Sequence, residues 1–188
     1  MTQQQDTFLI KIMRMGYWAD FYIYPIVSLA LLLVSVFYFQ LSALKLAGLF
    51  ALGFVLWGLA EYILHRYAFH HAPLFKQGHG EHHKHPKWQI GTPFFVTIAI
   101  YFLIAWGLAQ VFGYAATCIT LSGFILGYYG YLIVHHTVHS KRAKPGTFFH
   151  RYQKFHDIHH MKEEVNFGVS WMMWDKIFRT YQKSHKAK

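Results

Sequence analysis

The sequence predicts an all-α integral membrane protein, with four transmembrane helices in two hairpins and a helical cap on the cytosolic side. Three observations carry this. Of 188 residues, 54% are hydrophobic and 20% aromatic, rich for a soluble domain. From Phe21 to Ala60 the only charged side chain is Lys45, and from Trp88 to Ser140 there is no Asp, Glu, Lys or Arg. All 15 histidines fall in two segments, His65 to Gly91 and His135 to Lys188.

A span takes about 20 mostly apolar residues, so each uncharged gap holds two. The chain opens on a polar stretch, Thr2 to Thr7, and the first apolar run is too long for the core of a cleavable signal, so it reads as a true span. Span one is placed at Phe21 to Leu41 and span two at Leu44 to Leu64, turning at Ser42-Ala43. Spans three and four, Pro93 to Phe112 and Ala115 to Val134, turn at Gly113-Tyr114. Those turns are too short to hold a site. The connection 65–91 and the tail 135–188 form the cap, and no repeat or linker divides residues 1–188 from being a single membrane-embedded domain. The tail mixes apolar Phe148, Phe149, Tyr152, Phe155, Val169, Trp171, Trp174, Ile177 and Phe178 with basic residues, as expected of amphipathic helices lying in the interface.

Basic residues near span ends favour the cytoplasm. Seventeen of the 18 Lys and Arg lie on the side of the cap and only Lys45 opposite, so both termini and the histidines are expected to be cytoplasmic. The formal charge of +10 then reflects anionic lipid rather than nucleic acid. One cysteine, Cys118, excludes a disulfide framework and a cysteine-ligated metal site.

The histidines cluster with ligand-like spacing: His65 and His70; His79, His82 and His83; His135 and His139; His156, His159 and His160. On a helix, at about 100° per residue, positions i, i+3 and i+4 share a face and the last two splay to either side of the first. Each HxxHH triplet can therefore serve two adjacent metals, whereas His135 and His139 suit one. His65 and His70, five apart, point in different directions on an ideal helix, so they serve different metals or straddle the helix end. Ten imidazoles packed together would repel if protonated, and neutral imidazole is a ligand for iron, zinc or copper. Ten donors exceed one six-coordinate ion, which argues for two.

His71, His85, His136, His150 and His185 read as packing or solvated residues, and the aromatics Phe94, Phe95, Tyr101, Tyr128, Tyr129 and Tyr131 mainly as packing and belt residues. Glu61, one turn before His65, is either a hydrogen-bond acceptor behind a ligand imidazole or a snorkelling interface residue. Asp157 and Asp175 carry the same pair of readings.

The run Glu61 to His70, the HGEHH of His79 to His83, the pair His135 and His139, and HDIHH followed by Asn166 to Ser170 and Trp174 to Phe178 resemble the fatty acid hydroxylase and sterol desaturase superfamily. Within it the sequence is most similar to the fatty acid 2-hydroxylase (sphingolipid α-hydroxylase) branch. The resemblance covers about Glu61 to Tyr181 and implies two iron ions on His65, His70, His79, His82, His83, His135, His139, His156, His159 and His160, with zinc able to replace iron in isolated protein. It also implies hydroxylation of a lipid acyl chain, at C2 in that branch, with dioxygen. The oxidation belongs to the metal, so no separate catalytic acid, base or nucleophile is expected. No GxGxxG after a strand and no CxxCH is present, so neither a nucleotide cofactor nor covalent haem is indicated. Electrons are expected from a separate donor protein, since no haem carrier precedes the spans.

Three features depart from the branch. Leu132 stands where an acidic residue often precedes the third cluster, the link from His70 to His79 is short, and the haem carrier is missing. The segment Asn166 to Phe178 favours an acyl over a carotenoid substrate. The alternatives are desaturation or hydroxylation of a sterol, carotenoid or other hydrocarbon, and, from another class, a non-catalytic membrane metal-binding or transport protein. A transporter needs ligands along a path through the bilayer, and spans one and three contain no histidine.

Overall fold

The structure, a computed structural model, describes residues 11–183 apart from 12, 15, 16 and 90. The polar start Thr2 to Thr7, His185 and the Phe94 side chain lie outside the described residues. Among the described residues seven α-helices follow in order: α1 Tyr17–Phe37, α2 Ala43–Ile63, α3 Pro73–Lys84, α4 Phe94–Phe112, α5 Tyr114–Ser140, α6 Phe148–Met161 and α7 Met172–Ile177. A π-helical segment, Leu64–Phe69, continues α2 without a break. Among the described residues four helical stretches, Tyr17–Phe37, Ala43–Phe69, Phe95–Phe112 and Tyr114–Ser140, are long and apolar enough to cross a membrane, the mark of an integral membrane protein.

Helix α5 is the axis of the bundle. It packs chiefly on α2 and α1 and less on α4. Where α2 and α5 cross, Gly53 faces Thr120 and Gly123 faces Phe50, and a Cβ on either glycine would collide with the opposing carbonyl. Small residues permit this approach, from which bundle helices without a hydrophobic drive between them gain their packing. Against α1 the link is polar: Ser28 Oγ donates to the Ser122 carbonyl at 2.9 Å and Ser122 Oγ to the Ser28 carbonyl at 2.7 Å. Tyr24, Trp57, Ile125, Tyr128 and Leu132 fill the core between these helices. Outward, α4 exposes Phe102, Leu103, Trp106 and Val111, an apolar face suited to lipid.

The bounds shift from the sequence reading in three places. The first span starts and ends four residues earlier than Phe21 to Leu41, leaving Tyr38 to Ser42 as the turn. Helix α5 outlasts the apolar run by six residues, from Val134 to Ser140, because its backbone bonds continue through the third histidine cluster. In the tail, only part of the apolar set faces outward. Phe155 and Val169 are buried, the latter against Val134 and Val138 of α5, whereas Phe148, Ile177 and Phe178 are exposed. The segment 162–171 between α6 and α7 is not helical.

Candidate metal centre

Four elements converge at one end of the bundle: the π-helical end of α2, the last turns of α5, and the cap helices α3 and α6. Their imidazoles fall into two adjoining groups. In the first, His65, His70, His79, His83 and His159 bring ring nitrogens within 4.8 Å of one another. The second holds His82, His139, His156 and His160 in the same way, and His135 joins through Nε2 contacts of 3.1 Å to His82 and 3.2 Å to His139. The groups touch where the His83 and His160 rings stack, centroids 4.3 Å apart.

The helical spacing explains most of this division. In each HxxHH triplet the first and last histidines turn to one group and the middle one to the other: His79 and His83 against His82, and His156 and His160 against His159. His135 and His139 share a group. His65 and His70 depart from the expectation that they point apart, since both belong to the first group and their rings stack at 5.2 Å. The π-helical winding is the reason. Its hydrogen bonds run i to i+5 rather than i to i+4, so residues five apart return to one face.

Nε2 of His79 lies 3.0 Å from that of His65, 3.1 Å from that of His70 and 3.0 Å from that of His83. His156 Nε2 is 2.9 Å from His139 Nε2 and 3.1 Å from His160 Nε2. One nitrogen cannot satisfy three such neighbours by hydrogen bonding, as a neutral imidazole has one N–H in all. About 3.0 Å is the edge between adjacent positions on an ion that binds nitrogen at about 2.1 Å. The donor sets therefore fit two cations with all-imidazole shells.

The far ring nitrogens show how the rings are held. His65 Nδ1 lies 2.5 Å from the Phe167 carbonyl and His159 Nδ1 2.8 Å from the Val165 carbonyl. A carbonyl only accepts, so both Nδ1 atoms carry the proton and both Nε2 lone pairs face the cluster. Those carbonyls are themselves fixed. Asn166, at φ 59°, donates from Nδ2 to the Phe155 carbonyl at 3.0 Å and accepts at Oδ1 from the Gln182 amide at 2.7 Å. Asp175 accepts from the Phe167 and Gly168 amides at 2.8 and 2.7 Å and from Thr180 Oγ1 at 2.7 Å.

Asp175 thus acts one step behind the imidazoles, through the backbone that carries the Phe167 carbonyl. Burial pushes its carboxyl above the usual carboxylate range, with those three donors opposing. Glu61 is also buried, and it meets no imidazole nitrogen: it accepts from the Ser170 amide at 2.7 Å and from the Ser170 hydroxyl, tying the segment after α6 to α2. This corrects both readings of Glu61, because a buried carboxylate in a span needs donors and Ser170 supplies them. Asp157 lies on the exposed face of α6.

Burial is the first cause of depressed imidazole pKa values in the cap. His83 is held down to about 3, with His160 and His70 adding repulsion. His79, His82, His156 and His159 are likewise held below the usual imidazole range, each by burial first and neighbouring imidazoles as well. Neutral rings are the state that binds metal.

Two side chains that the sequence reading passed over face this region. Glu163 sits just past the fourth cluster, with Oε2 3.4 Å from His70 Nδ1 and Oε1 3.7 Å from His83 Nδ1. Its signal was an acidic pair, Glu163-Glu164, directly after HDIHH and Met161-Lys162. Asp20, buried one residue before the first uncharged gap, takes a hydrogen bond from Tyr128 at 3.2 Å. The remaining described histidines stay outside the groups: His136 Nδ1 meets the Tyr17 hydroxyl at 3.0 Å, His85 stacks on Trp88, His150 Nδ1 accepts from the Gly146 amide, and His71 is exposed.

A cleft of about 100 Å³ leads to the histidines between α1, α2, α3 and α5. Trp57, Leu64, Phe69, Phe75, Tyr131 and Leu132 line it, and it reaches His65 and His79 of one group and His82 and His135 of the other. A second, more polar cleft of about 240 Å³, lined by Lys87, Gln89, His136 and Ser140 among others, reaches His82, His135 and His139.

Fold and site together define a class: membrane-embedded helical proteins with two adjoining histidine groups that could each hold a metal ion. Comparison with known proteins narrows this, since the fatty acid hydroxylase profile matches residues 50–180. The chain belongs to the fatty acid hydroxylase family. It is 34% identical over 144 residues to the dihydroceramide fatty acyl 2-hydroxylase of Arabidopsis thaliana, covering 69% of this chain and 59% of that protein. To the fatty acid 2-hydroxylase of Rattus norvegicus it is 30% identical over 146 residues, 71% of this chain and 39% of that protein. The chain thus spans about two fifths to three fifths of these relatives' length. A solved structure of full-length scs7p, in which only the hydroxylase domain is visible, shares the fold at a TM-score of 0.80 and 24% identity, covering 94% of this chain and 70% of that one.

Proposed function

We propose that the chain is a membrane-bound, non-haem di-iron oxygenase that hydroxylates a lipid acyl chain, with residues 1–188 as one membrane-embedded domain. The observation that carries this reading is the pair of five-imidazole groups at the end of an apolar cleft within a four-span bundle. The names of the relatives support an acyl substrate and position C2. Iron held by the two groups supplies the oxidation of an unactivated C–H bond: one oxygen atom of dioxygen enters the C–H bond as hydroxyl, and the other leaves as water on uptake of two electrons and two protons.

The chain's own residues bind, orient and exclude water. Each group supplies five neutral Nε2 donors, His65, His70, His79, His83 and His159 in one and His82, His135, His139, His156 and His160 in the other. The Phe167 and Val165 carbonyls fix two rings with their lone pairs inward. Trp57, Leu64, Phe69 and Leu132 give the acyl chain an apolar slot that ends at both groups. The basic residues flanking the spans set the termini and the histidines on the cytoplasmic side, where a separate electron-donor protein has access.

Expression in a host with labelled lipids, beside a His159→Ala variant, tests the reading. New acyl hydroxyl groups with the parent chain, clustered at one carbon and missing with the variant, are expected. Identical lipid profiles for the two in the presence of a working reductase would sink it.

A further inference from the structure

The rings of the two histidine groups are not held alike. In the first group three of the five rings have a partner for the far nitrogen: His65 the Phe167 carbonyl, His159 the Val165 carbonyl and His70 one oxygen of Glu163 at 3.4 Å, while the other oxygen lies 3.7 Å from His83 Nδ1. The last contact exceeds hydrogen-bond reach, so His83 Nδ1 is buried without a hydrogen-bond partner. All these acceptors come from one short segment, Glu163 to Phe167, anchored by Asn166 and Asp175. In the second group His160 faces the His83 carbonyl, but the Nδ1 atoms of His82 and His156 are buried without a partner.

An acceptor on the far N–H makes an imidazole a stronger donor and fixes its tautomer and orientation, and losing one costs about 10- to 100-fold in metal affinity. A carboxylate does more than a carbonyl, because binding a cation at Nε2 draws charge from the ring and strengthens the N–H donor toward an anion. Glu163 itself is 59% exposed, so it is free of packing duties that would explain its position.

We infer that the two metal positions are unequal in affinity, and that Glu163 is a positioning residue that makes the His65, His70, His79, His83, His159 group the tighter one. The inference rests on the two-metal reading proposed above. It goes beyond that reading by assigning an order of filling and a residue outside the ten imidazoles.

The test uses the full chain in detergent, stripped by chelator and titrated with cobalt(II) alone, read by visible absorption and by bound metal. The parent should take two equivalents in two resolved steps. His159→Ala should remove the tighter step and His156→Ala the weaker one. Glu163→Ala and Glu163→Gln should weaken the tighter step by about 10- to 100-fold and leave the weaker step unchanged, with Glu163→Asp recovering part of the loss. Two equal steps in the parent, unchanged binding in the Glu163 variants, or equal weakening of both steps would overturn the inference while leaving a two-metal site intact. A parent that binds fewer than two equivalents at saturation would instead overturn the two-metal reading and this inference with it.

Discussion

Asp175 shows how far behind the imidazoles a residue can act. Its carboxylate holds the Phe167 and Gly168 amides and Thr180 Oγ1, while the Phe167 carbonyl holds His65. Asp175→Asn keeps the volume but turns an amide N–H toward a backbone donor. Hydrogen bonds to a charged acceptor contribute about 1.5–3 kcal/mol each, so a loss of at least about 3 kcal/mol is expected in thermal unfolding, with weaker metal retention. A variant as stable as the parent would remove Asp175 from this role. Histidine titration gives a second prediction. An unfolded imidazole takes its proton near about pH 6.5, whereas burial holds His83 down to about 3 and the other buried cap imidazoles below their usual range. The unfolded chain therefore gains protons that the fold refuses. Stability of the metal-free protein should be complete above about pH 6.5 and fall steadily toward about pH 3. Thermal midpoints across that window check this, and a flat profile would contradict it.

Among the elements, the π-helical segment Leu64–Phe69 sets the composition of the first group, since it brings His65 and His70 to one face. Inserting one alanine after Ala68 should set His65 and His70 six apart and turn His70 by roughly 100° away from its partners. Metal analysis should then find the first group's ion reduced and the second's retained; full retention of both would show that the winding is dispensable. The α2–α5 crossing is the other sensitive element. Gly123→Val places a branched side chain against the Phe50 carbonyl, and overpacking of that kind costs about 1–3 kcal/mol or more when backbone is the obstacle. Lower yield of folded protein in detergent, with a reduced melting temperature, is expected, against little effect from Gly107→Val on lipid-facing α4, where a Cβ meets nothing.

At the scale of the whole molecule, the uncharged gaps were enough to place four membrane helices, because charge is excluded from a bilayer whatever the tertiary contacts. The partition of the HxxHH triplets was legible for a similar reason: it follows from helical angle alone. What the sequence hid depends on contacts between distant segments. The shared face of His65 and His70 needs a winding that no local pattern announced, and the carbonyls of Val165 and Phe167 are backbone atoms with no residue signature. Glu61 was ambiguous until Ser170, more than a hundred positions away, supplied its donors. The segment Asn166 to Ser170, read from sequence as a mark of substrate class, is in the fold a brace for the first group of imidazoles.

The central claim, that this bundle uses its histidine pair to place an atom of dioxygen on a lipid acyl chain, is tested most directly by isotope. Membranes containing the parent chain and a working reductase, supplied with dioxygen labelled with heavy oxygen, should yield acyl hydroxyl groups that carry the label, and the His159→Ala variant should yield none. Hydroxyl oxygen drawn from water, or label appearing equally with the variant, would contradict the account.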